Sequence, residues 1–166
     1  MREKTARAAG LRLLIKIAVI AALLLGLLHF VLGIYLVHSN DMFPAVRDGD
    51  LFITYRLKRP GYGDVIAYRA EGRRHFGRVA ALPGDEVNMD AEGHYTVNGS
   101  IPYETVYYAT RSVEGSAVTY PYIVSEGEVF LLNDLRDNTE DSRLFGAIPL
   151  SQTDGSLALL LRRRGW

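Results

Sequence analysis

An active site needs nucleophiles, bases and charge-bearing groups, and this chain carries few of them in useful patterns. The four histidines, His29, His38, His75 and His94, lack the spacing of zinc ligands. There is no cysteine, so zinc-finger, thioredoxin and disulfide-scaffold chemistry is excluded. Gly61-Tyr62-Gly63 has no third glycine in position, so it is not a nucleotide-binding loop. The run Asp134 to Arg143 is rich in carboxylates, which suggests calcium. It lacks the Asp-x-Asx-x-Asx-Gly order, and Arg136 and Arg143 are expected to neutralise its acids internally. No metal or cofactor is expected. Hydroxyl chemistry remains. A serine becomes a nucleophile only when a base takes its proton, and a lysine serves as that base only when desolvation lowers its pKa. The chain has three lysines, Lys4, Lys16 and Lys58.

The 166 residues suit one domain, and 19 basic residues balance 19 acidic ones. That balance excludes a strongly basic nucleic-acid binder, so no nucleic-acid partner is expected. Mean hydropathy is +0.02 although 23% of residues are charged, so the apolar residues must be concentrated. They are: Ile17 to Val37 is uncharged over 21 residues. As a helix it would be about 31 Å long, matching a bilayer core of about 30 Å. The apolar core is too long for a cleaved signal peptide, and His38-Ser39-Asn40-Asp41 offers no small-x-small cleavage site. The reading is a cytoplasmic flank over 1–16, an anchor in membrane lipid over 17–37 and an extracytoplasmic domain over 38–166. Arg2, Lys4, Arg7, Arg12 and Lys16 against Glu3 place the N-terminus in the cytoplasm of a single-pass plasma-membrane protein. The outer part carries 14 basic and 18 acidic residues. Its lack of cysteine fits a bacterium that does not rely on disulfides there. His29, alone inside the span, reads as a polar contact or a proton site, and without an intramembrane partner it is weak evidence of function.

The outer part predicts strands. Asp50–Arg56 follows the turn signal Arg47-Asp48-Gly49, and Val65–Arg69 follows a turn over 59–64. His75–Leu82 runs into Pro83-Gly84, suited to the centre of a type II turn. Tyr95–Val97, Asn98-Gly99 and Ile101 predict a hairpin with a type I′ turn. Val129–Leu132 is a further strand. Leu157–Leu161 is a final strand, with Arg162-Arg163-Arg164 as a solvated basic end. Glu114–Thr119 is the one flexible-looking stretch. The class is mainly β behind one helix.

Four segments, in order, resemble the type I signal peptidases. Ser39-Asn40-Asp41-Met42-Phe43-Pro44-Ala45-Val46 is similar to that family's Ser-x-Ser-Met-x-Pro-Thr-Leu box. Tyr62-Gly63-Asp64-Val65-Ile66 is similar to its Gly-Asp-Ile-Val strand. Gly77-Arg78-Val79-Ala80-Ala81-Leu82-Pro83-Gly84-Asp85-Glu86-Val87 resembles Lys-Arg-Val-x-Gly-Leu-Pro-Gly-Asp-x-Val. Asn133 to Gly146 resembles Gly-Asp-Asn-Arg-Asp-Asn-Ser-x-Asp-Ser-Arg-x-x-Gly. Val97-Asn98-Gly99, with Glu104 beyond it, also matches. The resemblance covers nearly the whole chain. It implies a signal-peptidase-type β domain, related to that of LexA-like self-cleaving switches, and a serine endopeptidase scaffold working through a Ser–Lys dyad. It places Met42, Pro44, Arg78, Asp134, Arg136, Asp137, Asp141, Ser142 and Arg143 in the groove and scaffold.

Both reacting positions depart from the pattern. The nucleophile position holds Asp41 and the general-base position holds Gly77. Ser39 matches the serine that helps form the oxyanion hole, and Thr139 replaces a serine near the base. Lys4 and Lys16 lie in the cytoplasmic flank, and Lys58 sits in a turn, away from the base's strand position. Asp41 is expected to accept from backbone N–H groups of the former oxyanion hole, with Ser39 and Thr139 beside it. Asp141, the nominal second carboxylate for an acid pair, is expected to pair with Arg143. The resemblance therefore implies a membrane-bound pseudoenzyme that holds an extended peptide or partner protein in the former substrate groove. Signal-peptidase-like proteins without the dyad assist sortase-dependent pilus assembly in some Gram-positive bacteria. This chain resembles that branch, which implies a pilin- or sortase-type partner and a role in pilus assembly or secretion. The alternative is an active signal peptidase with an atypical dyad such as Ser39–His75, each two residues before the lost member. A self-cleaving LexA-like switch is the third class, opposed by the span and the missing dyad.

Overall fold

The computed structural model describes residues 2–104, 109–116 and 118–162, residues 2–9 by backbone alone. Helix α1, Arg2–Gly26, runs into a π-helical turn over Leu27–Val31. From Gly10 to Val31 it offers 22 residues long and apolar enough to cross a membrane, none of them buried by the rest of the protein. This helical candidate for a span begins and ends nearer the N-terminus than the stretch 17–37 expected from the sequence. Leu32–Leu36 is not helical but forms strand β1. The apolar run gives no sign of the change because β1 is apolar on both faces. Tyr35 points into the core while Ile34 and Leu36 face outwards. Gly33 is required there: a Cβ would lie 2.5 Å from the Thr54 hydroxyl and from that of Tyr35.

The remaining strands are β2 Leu51–Tyr55, β3 Val65–Ala70, β4 Arg73–Ala81, β5 Glu86–Met89, β6 Tyr95–Val97, β7 Tyr122–Ile123, β8 Glu128–Leu132, β9 Ile148–Pro149 and β10 Thr153–Leu161. They form a seven-stranded antiparallel sheet, ordered β1-β2-β10-β3-β4-β8-β9, and a three-stranded one, β6-β5-β7. The mainly β class expected from the sequence is what the fold shows. Alternation sorts the side chains. Tyr35, Phe52, Val65, Ala67 and Phe76 build one core. Ile66, Tyr68, Val79, Val129 and Leu131 build a second. The small sheet closes a third, where Val87, Met89 and Tyr95 meet Ala81, Phe130 and Leu132. Fully burying each large apolar side chain contributes about 1.5–3 kcal/mol before entropy is subtracted.

Two details position the site. Strands β3 and β4 are joined by Glu71-Gly72, both at positive φ (48° and 72°), the pair of conformations a two-residue type I′ turn needs. That turn fixes the register Ala70↔Arg73, and hence Tyr68↔His75 and Ile66↔Gly77. Strand β8 pairs with β4 only from Arg78 onwards, so Arg73–Gly77 keep one edge free of β8. Among the described residues strand β1 pairs only with β2.

The outer face of β1, β2 and β10 is apolar. Ile34, Ile53 and Leu159 form one cross-strand row, and Leu36, Leu51 and Leu161 the next. Ile34, Leu36, Leu159 and Leu161 are about half exposed.

The expected turns occur. Gly84 has φ 87° beside the Asp85 N–H to Leu82 carbonyl bond of 3.1 Å, and Asn98 and Gly99 have φ 52° and 72°. Arg163 and Arg164 of the expected basic end, and Ala117 of the expected flexible stretch, lie outside the described residues.

The carboxylate of Asp85 accepts from the Tyr62 hydroxyl, the Leu82 amide and Asn98 Nδ2, each at 2.7 Å. Burial pushes this carboxyl up, but the three donors outweigh it and hold the group below its ordinary 3.8. Stability from a depressed carboxyl is present above the unfolded value and is lost as pH falls through the folded one. Asp85→Asn should therefore flatten the loss of stability below pH 3.8 in acid titrations followed by circular dichroism. An unchanged acid limb would show that these bonds do not hold the turn.

Candidate functional site

The frame of the site is the loop from Asn133 to Gly146, ordered by a buried ion pair. Asp141 and Arg143 are essentially inaccessible. The guanidinium of Arg143 donates to both Asp141 oxygens at 2.8–3.2 Å. It also donates to the carbonyls of Arg136 (2.9 Å) and Asn138 (2.7 Å). Asp141 also accepts from the Asn133 amide and caps the short helix Ser142–Phe145, α2, through the Arg143 amide. The Leu131 amide donates to Ser142 Oγ, tying α2 to β8. A buried pair held this way repays its desolvation only because the remaining donors are also satisfied.

The expectation that Arg136 and Arg143 neutralise the acids of this run holds for Arg143 alone. Arg136, also buried, donates to Glu104 Oε2 at 2.5 Å, to the Thr110 hydroxyl and to the Asn133 carbonyl. It cannot serve the run because its long side chain points away, to the segment after the β6 hairpin. Asp134 is instead held by Arg78 in a bidentate pair at 2.5–2.7 Å. Asp137 is exposed.

Beside this loop lies a cleft of about 350 Å³. Leu36 and His38 flank it on the β1 side, and Arg73 to Phe76 of β4 on the other. Ser39, Asp41 and Glu140 complete the lining. The loop holds the nucleophile position directly: the Leu135 amide donates to the Asp41 carbonyl at 2.8 Å, and Asn138 Nδ2 donates to Asp41 Oδ1 at 2.5 Å. The expected acceptance from backbone N–H groups, with Ser39 and Thr139, is not what the geometry shows. Asn138 supplies the donor, and among the described residues neither hydroxyl bonds to Asp41. Met42 is buried next door, its sulfur 3.4 Å from the Asp134 amide. Pro44 is exposed.

The general-base position is filled from across the hairpin. Gly77 is buried, and a Cβ there would lie 3.2 Å from Tyr68 Cε1 and 3.2 Å from Leu131 Cβ. Tyr68 is wholly inaccessible and its hydroxyl has no partner among the described residues. Burial first, then Asp141, Asp41 and Glu140, push its ionisation far above the ordinary range, so it remains a neutral donor at every ordinary pH. His75 stacks on Tyr68 at 5.4 Å and meets the edge of Phe145 at 5.3 Å. Its Nε2 is buried without a partner. Ser39 and His75 line the same cleft but share no hydrogen bond. Lys58 is in an exposed pair with Asp64, away from the cleft lining. Asp141 is fully engaged by Arg143, so no acid pair forms with Asp41.

Sequence reading missed Tyr68, Asn138, Arg73, Arg74 and Glu140. The signal for Tyr68 was present: the Glu71-Gly72 turn sets a register in which residues 68 and 77 are diagonal neighbours. Asn138 gave no such signal, because loop contacts have no period.

The model of the family "Signal peptidase, peptidase S26" matches residues 11–161. A probable signal peptidase I-2 of Synechocystis is 29% identical over 76% of this chain, and the match spans 62% of that protein's length. An inactive signal peptidase IA of Staphylococcus aureus is 26% identical over 78% of this chain and 79% of its own. Among solved structures, a signal peptidase I from Enterococcus faecalis V583 matches with TM-score 0.50 and 26% identity, covering 61% of this chain and 98% of that one. With the boxes in order around one cleft and the family model spanning all of them, this chain belongs to the peptidase S26 signal peptidase family.

Proposed function

We propose that this chain is a membrane-anchored member of the family without proteolytic activity, which holds an extended peptide or protein segment in the cleft between β1 and β4. The observation that carries the reading is the packing at Gly77. The room a base would need is taken by Tyr68 and Leu131, and the nucleophile position holds an acid bonded to Asn138. Two strand stretches with an open edge, in β1 and in Arg73–Gly77, flank the cleft, and an added strand is a common way to bind an extended peptide. The name of the staphylococcal relative supports loss of activity in this branch. The Ser39–His75 alternative gains little support, since His75 is wedged between two rings and does not reach the serine.

In this reading α1 crosses the plasma membrane with its N-terminus in the cytoplasm. The apolar rows of β1, β2 and β10 follow the helix directly and lie against the lipid. A pilin- or sortase-type partner is the biological setting that the sequence resemblance supports. Deleting the gene should then remove pilin polymers while other proteins are secreted normally.

The activity test incubates the full chain in detergent with a preprotein ending in Ala-x-Ala. Neither the protein nor its Ser39→Ala variant should cleave it. Cleavage after the second alanine, lost in Ser39→Ala or His75→Ala, would overturn the reading. Packing gives a second check. Gly77→Ala should lower stability by about 1–3 kcal/mol, the usual cost of overpacking. Tyr68→Phe should cost nothing or stabilise by about 1 kcal/mol, since an unpartnered buried hydroxyl is removed. Denaturant titration decides, and a tolerated Gly77→Ala would mean the room is not taken. Because the chain lacks cysteine, Leu159→Cys and Gly99→Cys can each carry a spin label in nanodiscs. The first label should be reached by oxygen rather than by a water-soluble nickel chelate, the second the reverse. Equal exposure of both to the chelate would place the sheet face in water.

A further inference from the structure

The acids around the cleft differ in one respect. Asp141 is paired with Arg143, Asp134 with Arg78 and Glu104 with Arg136. Asp154 is held by Arg74 through Nε and Nη2 at 3.2 and 3.1 Å. Glu140 stands 3.8 Å from Arg73. Asp41 has no ion pair among the described residues, although it is half-buried and lines the cleft. A single amide, Asn138 Nδ2, is its recorded side-chain partner. A carboxylate taken partly out of water without a counter-charge is costly.

Among the described residues no cation pairs with Asp41, although His38, Arg73, Arg74 and His75 share its cleft lining. Arg74 is fixed by Asp154 and lies 4.0 Å over the Tyr35 ring. Arg73 extends into solvent beside Glu140. Lys58 is held by Asp64. One polar atom of a lining residue, His75 Nε2, is buried without a partner among the described residues, as is the hydroxyl of Tyr68, whose ring stacks on His75. The cleft therefore presents a carboxylate without an ion pair among the described residues in about 350 Å³ of open space.

From this we infer that the cleft selects a segment carrying a lysine, whose ammonium is seated against Asp41. The inference rests on the binding role proposed above and names its ligand chemistry. An ammonium has three donors and a flexible stem that can pass between Leu36 and Phe76 while the backbone follows the strand edges. Ser39, beside Asp41 in the lining, offers a second acceptor. The aspartate is then the selecting element of the cleft, in the position that the family pattern gives to the nucleophilic serine.

The test uses the full chain in nanodiscs and three peptides, acetyl-Thr-Val-Lys-Val-Thr-amide and its norleucine and glutamate counterparts, with binding measured by calorimetry. The lysine peptide should bind about tenfold more tightly than the norleucine one, as a partly desolvated charge pair allows, and the glutamate peptide more weakly than either. Asp41→Asn, which keeps an acceptor for Asn138, should reduce the lysine peptide to the norleucine level. Equal binding of lysine and norleucine peptides to the unaltered protein would overturn this inference and leave the binding role standing. A lysine preference that survives Asp41→Asn would also overturn it. Binding of none of the three would overturn the binding role itself.

Discussion

The Asp141–Arg143 pair is the constraint on which the site depends. Removing one partner of such a buried pair typically costs about 3–5 kcal/mol, because the other charge is left stranded. Here the loss would not stay local. The same guanidinium gathers the carbonyls of Arg136 and Asn138, and Asn138 in turn grips Asp41. The same carboxylate caps α2 and takes the amide of Asn133 at the end of β8. One ion pair thus sets the loop, and the loop sets residue 41 in the cleft.

The chemistry left in that shape follows from two substitutions that reinforce each other. An acid at residue 41 adds charge where the family pattern has a hydroxyl. A glycine at residue 77 removes the amine and lets an aromatic ring close the vacated space. Tyr68 cannot take over as a base, since burial and the surrounding carboxylates keep its proton in place. The result is a cleft lined by Asp41 and Glu140 together with Arg73 and Arg74, flanked by open strand edges. In the proposed reading such a surface holds an extended segment and does not attack its carbonyl.

Much of this was legible in the sequence. Strands betray themselves by alternation and by turns such as Asn98-Gly99 and Pro83-Gly84, whose φ requirements are local. The departures from the family pattern at residues 41 and 77 were legible because the boxes around them match it. The end of the helix was not, because Leu32–Leu36 is apolar on both faces: one side meets the core and the other continues the apolar surface of α1. The partner of Arg136 was hidden for a different reason. Its ion pair with Glu104 spans 32 positions, and nothing local distinguishes it from a pair within the acidic run. Tyr68 lay between these cases, visible to anyone who counts register from Glu71-Gly72.

Amide hydrogen exchange with the acetyl-Thr-Val-Lys-Val-Thr-amide peptide present, and the peptide then recovered for mass measurement, tests the central claim most directly. The account predicts slowed exchange at amides of Leu36–His38 and Arg73–Phe76, with the peptide recovered at its full mass. Recovery of a peptide shortened at a single bond, or protection that avoids both strands, would contradict it.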